Sequence, residues 1–392
     1  MDRYGPHGME YLNRPIFKHP PVYPLVIALS YLLLGSHVFA ALLPSLIAWM
    51  GICLLTRRIA ASLFGPTVGV MAFLLCVVDP MGWALSQKIY AECVLTFLCL
   101  WGLWLYLQNF RSGSLVLCGA VLGLGCLVKY QALIYLLAML LHLGVVRSYR
   151  KMFWLGLSFL LVLSPWIAIQ WAVYGVDLWT RLQADFFIAH DFALQTTILG
   201  VLCYFILQPL LAHLAKRGFW DKPIISVLAR WVLFLVMAIP IAFFGNQMLK
   251  IFLWNGLPIT SFLRSFSIQR GFYFFQPLLY LPFLILVPMA PLLITKPANR
   301  SQTNLLFALS ILFFCIATIW ENPQIRYLYP VVPVLIILAS AAGQAIWNRL
   351  SAMAYPLSTI GRFSIACLAF FLLAKILQND WFFGFVNQAG RF

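Results

Sequence analysis

Charge is scarce in this 392-residue sequence. Asp, Glu, Lys and Arg make up 9% of it, against about 25% in ordinary soluble domains. Acidic charge is scarcer still, with ten Asp and Glu facing 26 Lys and Arg. Paired cysteine motifs are missing too: none of the nine cysteines forms a CxxC, so neither a disulfide framework nor a structural zinc site is indicated. No nucleotide phosphate loop is complete. Gly123-Leu124-Gly125-Cys126 lacks the third glycine of a dinucleotide loop, and Lys129 does not finish a GxxxxGK[ST] pattern. What is abundant is apolar surface: 63% hydrophobic residues, 33 Phe, 16 Tyr and 14 Trp, with a mean hydropathy of +0.94. These values exclude a soluble enzyme, a disordered chain and a coiled coil. The net charge of +16 is spread over short loops between apolar runs, which signals membrane topology instead of a nucleic-acid partner.

A bilayer is crossed by about 20 apolar residues in a helix. Twelve runs meet that length, beginning near His37, Ala61, Ala91, Gly113, Tyr130, Met152, Gln195, Ile225, Phe272, Asn304, Tyr327 and Phe363. A shorter run, Val22 to Leu34, is expected to lie at the membrane interface. The reading is an all-α, polytopic bundle of about 12 spans forming one domain over residues 1–392. Residues 1–36 supply an outer tail and the interfacial helix, and 37–380 the transmembrane core. Alternating the loops gathers Arg57, Arg58, Arg111, Arg147, Arg150, Lys151, Lys216, Arg217, Lys222, Lys296, Arg300, Arg349 and Arg362 on one side. That side is expected to be cytoplasmic. Nine of the ten acids, all but Asp221, fall on the other. Acids contribute little to insertion, so their sorting points to a working surface on the outer face.

Four outer segments carry candidate chemistry. Lys18 and His19 precede Pro20-Pro21 at the start of the interfacial run, where proline presets the backbone for a helix. Asp79-Pro80 leads toward Tyr90-Ala91-Glu92. Glu92 opens a span, and ionisable groups at membrane depth are costly and functional by default; Asp79 is a second candidate acid, or a residue that shapes the turn. Lys250, Arg264 and Arg270 lie among Phe, Leu and Trp in an outer stretch suited to an anionic lipid phosphate. Arg326, Tyr327 and Tyr329 stand between prolines at a helix entry, where guanidinium and helix N-terminus both favour an anion. Each also has a plainer explanation as a cap, anchor or aromatic belt. Gly119 and Gly123 form a GxxxG, which predicts close helix packing. No metal ligand set is read.

These segments, in this order, resemble the lipid-linked-sugar glycosyltransferases that include the protein O-mannosyltransferases and the aminoarabinose transferases of lipid A. Lys18-His19-Pro20-Pro21-Val22-Tyr23 is similar to their "(K/H)PPLY" element, and Arg57 to Gly65 to "R…SalfG". Gly123 to Lys129 is similar to "GlafLtK", and Arg326 to Pro333 to "RYllPllP". The resemblance implies a C-type glycosyltransferase fold in a plasma (bacterial inner) membrane, with the active site outside. It implies a polyprenyl-phosphate-linked sugar donor, a lipid, glycan or protein acceptor, membrane lipids as surroundings, and inversion at the anomeric carbon; divalent-metal dependence stays open. In that chemistry Glu92 and Asp79 are the candidate catalytic acids. Lys18, His19, Arg264, Arg270, Arg326, Tyr327 and Tyr329 are the candidate substrate-binding residues. The family's early Asp-Glu pair does not occur in this sequence. The chain is therefore expected to lack the family's first helix, or to be an inactive relative. A transporter or flippase of lipid-linked sugars is the competing class, but it should show internal repeats and midplane polar residues, and neither is evident.

Overall fold

The structure is a computed structural model that describes residues 20–109, 115–175, 286–287, 290, 294, 300–319 and 325–352. Ten α-helices and one 3₁₀ helix are defined among these, and no strand. They are α1 (Val22–Leu34), α2 (Val38–Phe64), α3 (Pro66–Val77), α4 (Pro80–Ser86), α5 (Glu92–Asn109), α6 (Val116–Val128), α7 (Ala132–Val145), α8 (Tyr149–Tyr174), α9 (Arg300–Ile319), the 3₁₀ helix η1 (Ile325–Val331) and α10 (Val332–Ala352). Helices α2, α8 and the run Arg326–Asn348 are each long and apolar enough to cross a membrane; α3 and α4 pass the same test jointly, bent by 55°. The remaining described helices are shorter but apolar. The protein is an integral membrane protein. Five of the expected span starts, at Gly113, Gln195, Ile225, Phe272 and Phe363, lie outside the described residues.

Local sequence explains the boundaries. The short apolar run is helix α1 with the expected limits, closed by Gly35 at φ +88°. His37 caps α2, its Nδ1 accepting the Ala40 N–H at 3.2 Å. The second span starts later than Ala61, because α2 continues to Phe64. Gly65 then breaks the chain at φ +99°, a conformation that costs glycine little, and Pro66 starts α3 at its first position. The α3–α4 break falls at Val78-Asp79, where the Asp79 carboxylate accepts the Met81 and Gly82 N–H groups, each at 3.1 Å. Near Tyr327 the chain makes a 3₁₀ turn before α10, since Pro330 and Pro333 remove donors that an α-helix would use.

Short connections bring several helix ends together. Segments 87–91, 129–131 and η1 meet at one end of the bundle, where Arg326 lies over the Tyr90 ring and Lys129 over the Tyr327 ring. At the other end, Tyr106 of α5 bonds His142 Nδ1 of α7 at 2.6 Å, and His142 Nε2 lies 2.7 Å from the Ser301 hydroxyl of α9.

Helix α6 packs tightly on α8 through the GxxxG. A Cβ on Gly119 would overlap Ser158 Oγ and the Leu155 carbonyl, and one on Gly123 would lie 2.9 Å from Val162 Cβ and 3.0 Å from the Phe159 carbonyl. Without a hydrophobic drive between helices in lipid, such close backbone approach is the main source of association. Gly119→Ala should therefore destabilise the protein by about 1–3 kcal/mol. Gly156→Ala, whose Cβ would meet nothing within 4 Å, should be neutral or better. Thermal unfolding in detergent measures both; equal midpoints would mean that α6 and α8 are not held by this contact.

Candidate functional site

The site is assembled from three helix ends. Glu92 opens α5, with its carbonyl accepting from Thr96 Oγ1 at 2.7 Å and its turn begun by Leu95 N–H to Ala91 O at 2.8 Å. Lys129 follows α6 in extended backbone. Its neighbour Tyr130 is pinned from α8, the phenol accepting from Trp166 Nε1 at 3.1 Å and Gln170 Nε2 at 3.3 Å. Arg326 and Tyr327 stand on η1, which is tied to α7 by the Tyr135 hydroxyl donating to the Pro330 carbonyl at 2.6 Å.

These ends place one carboxylate between two cations. Lys129 Nζ donates to Glu92 Oε1 at 2.8 Å, and Arg326 Nε lies 3.5 Å from the same oxygen. The Glu92 side chain is 3% exposed, Lys129 21% and Arg326 24%. The anion is sealed and the cations are not. Aromatic faces complete the arrangement: Lys129 Nζ sits 4.3 Å from the centre of the Tyr327 ring, and the Arg326 guanidinium 4.5 Å from Tyr90 and 5.4 Å from Tyr327. Lys88 reaches the Tyr90 ring at 5.9 Å. Ring quadrupoles favour cations at such distances, so the charges are held in an alternating stack. Burial pulls the Lys129 ammonium below the usual lysine range; Glu92 opposes that shift and Arg326 adds to it. Lys88 is lowered by burial and then by repulsion from Arg326.

Unmet hydrogen bonds gather here as well. Among the described residues the buried side-chain atoms without a hydrogen-bond partner are Tyr329 OH, Trp49 Nε1, Gln131 Oε1 and Arg326 Nε, which meets Glu92 as an ion pair only. Arg326 and Tyr329 share η1, Gln131 follows Lys129 by two residues, and Trp49 adjoins Tyr329 across Gly82. An unpaired buried polar group costs roughly 1–3 kcal/mol and asks for an explanation; their grouping at the charged end supplies one, a ligand site. No set of three or more metal-ligating side chains occurs among the described residues.

The structure brings together Glu92, Arg326 and Tyr327. Tyr329, on the same 3₁₀ helix, is fully buried, while Asp79 sits at the break with both carboxylate oxygens used to cap α4. Lys18, His19, Arg264 and Arg270 lie outside the described residues. Sequence reasoning passed over Lys129 as a site residue, testing it for a phosphate loop. The signal was available: the rule that singled out Glu92, an ionisable group terminating an apolar helix, applies equally to Lys129. Tyr90 and Lys88, within a segment noted for its acids, were not singled out.

A helical membrane protein with a buried carboxylate–cation cluster at one end is the class that fold and site define. Residues 18–169 match a sequence model of the family described as dolichyl-phosphate-mannose-protein mannosyltransferase, and over that stretch the chain carries the family's pattern. It is similar to the Bacillus subtilis (strain 168) protein YkcB, provisionally named a mannosyltransferase, at 30% identity over 97 residues; these are 25% of this chain and 14% of that protein. Two crystal structures of ArnT from Cupriavidus metallidurans are also similar. The apo form gives a TM-score of 0.48 at 18% identity over 85% of this chain, and the undecaprenyl phosphate complex 0.45 at 17% over 90%. The matches span 51% and 54% of those ArnT chains, about half their length.

The charge cluster predicts strong coupling. Glu92→Gln strands two cations in a partly dry site and should destabilise by roughly 3–5 kcal/mol. Lys129→Met leaves Glu92 its second cation, so it should cost less. The double variant should be more stable than the sum of the single losses, by about 0.5–3 kcal/mol. Unfolding of the four proteins in one detergent closes the cycle; strict additivity would show that the pair does not interact.

Proposed function

We infer that this protein is a membrane glycosyltransferase that moves a sugar from a polyprenyl-phosphate carrier to an acceptor. The observation that carries the reading is the unequal exposure of the cluster. The carboxylate is sealed while Lys129 and Arg326 keep about a fifth to a quarter of their surface open, so what an incoming group meets is positive. A lipid-borne phosphate has the charge and depth for that surface. The family match over residues 18–169 and the undecaprenyl phosphate bound by the ArnT relative support the same ligand class.

In this reading Lys129 and Arg326 bind the donor's phosphate and stabilise the negative charge that grows on it as the glycosidic C–O bond breaks. Arg326 contributes a planar fork fixed by Tyr90 and Tyr327, and Lys129 a point charge. Glu92 acts as a positioning residue, holding the two cations near each other against their repulsion. Asp79 keeps the α4 cap. Lys18, His19, Arg264 and Arg270 are further candidates for the same anion. The site faces the outside of a bacterial inner membrane; attack by the acceptor hydroxyl opposite the phosphate forms the new C–O bond, inverts the anomeric carbon and releases the polyprenyl phosphate, which takes up the hydroxyl proton.

Arg326→Ala should lower transfer from a purified polyprenyl-phosphate sugar in proteoliposomes by about 10- to 150-fold at limiting donor, the worth of a charged hydrogen bond of roughly 1.5–3 kcal/mol. Arg326→Lys should retain part of the activity. Expression and insertion should stay near normal. Unchanged transfer by Arg326→Ala would reduce this residue to a membrane anchor.

A further inference from the structure

Two of the partnerless buried atoms converge on one glycine. A Cβ added to Gly82 would lie 2.8 Å from Trp49 Nε1 and 2.8 Å from Tyr329 OH. Neither atom has a hydrogen-bond partner, although Tyr329 is 0% exposed and Trp49 9%. A side chain at Gly82 would overlap both atoms, so the glycine is what lets them stand this close to α4. An indole N–H and a phenol buried this way are a standing cost to the fold. Side chains with apolar rings would fill the same space without it.

The surroundings fit a sugar ring. The Trp49 and Trp83 rings lie 5.1 Å apart, tilted by 47°, and Trp83 is 41% exposed. Aromatic faces receive the C–H face of a sugar, while the N–H and O–H groups meet its hydroxyls. The position relative to the phosphate site also fits. Arg326 and Tyr329 are three residues apart on η1, and in a 3₁₀ helix residues i and i+3 eclipse on one face with a rise of about 2 Å per residue. Their backbone positions are therefore separated by roughly 6 Å along that face, a spacing that suits a sugar esterified to a phosphate held by Arg326.

Helix α4, which carries Gly82 and Trp83, is the element that must move. It is a short piece bounded by the 55° break at Val78-Asp79 and by the connection 87–91 that holds Lys88 and Tyr90. Resting on two unsatisfied groups, it is seated less firmly than an apolar contact would seat it.

We propose that Trp49, Trp83 and Tyr329 form the subsite for the donor's sugar, opened when α4 shifts off the Trp49 and Tyr329 polar atoms, with Gly82 as the closing surface. This rests on the phosphate reading above and deepens it by naming what distinguishes a glycosylated donor from the bare carrier. No bond is made or broken in the step proposed; it is recognition.

The test compares binding of short-chain isoprenyl-phosphate sugars, several hexoses and one pentose, with the same isoprenyl phosphate lacking a sugar. The full chain is used in nanodiscs. The wild-type protein should bind at least one glycosylated lipid about tenfold or more tighter than the bare phosphate. Tyr329→Phe and Trp49→Phe should each remove most of that preference, while binding of the bare phosphate stays within about twofold. Tyr329→Phe should also raise the thermal midpoint, because it deletes an unsatisfied hydroxyl without altering the ring. Gly82→Ala should block the sugar-dependent gain; if it fails to fold, the two phenylalanine variants still decide. The proposal is overturned if no sugar improves wild-type binding, or if the variants weaken bare and glycosylated lipids equally. Failure of the phosphate reading looks different: Lys129→Gln and Arg326→Ala would then leave binding of the bare phosphate untouched.

Discussion

One constraint orders the site: a carboxylate 3% exposed must be neutralised inside a membrane protein, and it is neutralised twice. A single lysine would have satisfied Glu92. Adding Arg326 to the same oxygen leaves the cluster with an excess of positive charge that the described residues around it do not cancel, since the Asp79 carboxylate is occupied by backbone N–H groups at the α4 cap. Interactions of this kind are strong where water is excluded, and they are costly when half-made. The arrangement is stable as a cluster and incomplete as a charge balance. An anion completes it.

The rest of the described structure holds that cluster in register. Three chain segments far apart in sequence supply the charges, and each is tied by a neutral contact: Ser45 of α2 to the Tyr90 carbonyl beside Glu92, Tyr130 to Trp166 and Gln170, Tyr135 to the Pro330 carbonyl. The GxxxG of α6 draws α8 close enough for the Tyr130 bonds to form. At the opposite end, His142 joins α5, α7 and α9, so the helices that carry Glu92 and follow Lys129 are fixed at both ends. Rigid elements with a charged rim are a scaffold on which ligand geometry can be precise.

Much of this was legible from residues alone, and the exceptions have physical causes. Apolar run length placed α1, and it placed α5 to within a residue or so. It misplaced the start of α3, because α2 continues through the Arg57-Arg58 pair until a positive-φ glycine stops it. Glu92 was found by the cost of ionisable groups in a membrane, and Arg326 by the anion preference of a guanidinium at a helix entry. Their pairing was not, because it depends on a turn in η1 set by two prolines and on the register of α6. Lys129 stood at the end of its apolar helix and closed the "GlafLtK"-like segment, yet as a site residue it was tested only against a phosphate loop. Trp49 and Gly82 had no sequence signal: one tryptophan among 14 and one glycine among 24 become distinctive when packing shows what they face. Asp79 was legible as an acid and as a turn former, and its hydrogen bonds are those of a turn former.

The account turns on whether the open cations hold a lipid phosphate, and a paired binding measurement tests that most directly. Isoprenyl phosphate and the matching isoprenol, with the same tail and no charge, are titrated against wild-type protein and Lys129→Gln in nanodiscs. Gln keeps a hydrogen bond to Glu92 and removes the charge. The account predicts that the variant loses about tenfold or more in affinity for the phosphate, in line with a charged hydrogen bond worth roughly 1.5–3 kcal/mol, and binds the alcohol as the wild type does. Equal affinity of the two proteins for isoprenyl phosphate, or a parallel loss for phosphate and alcohol, would contradict it.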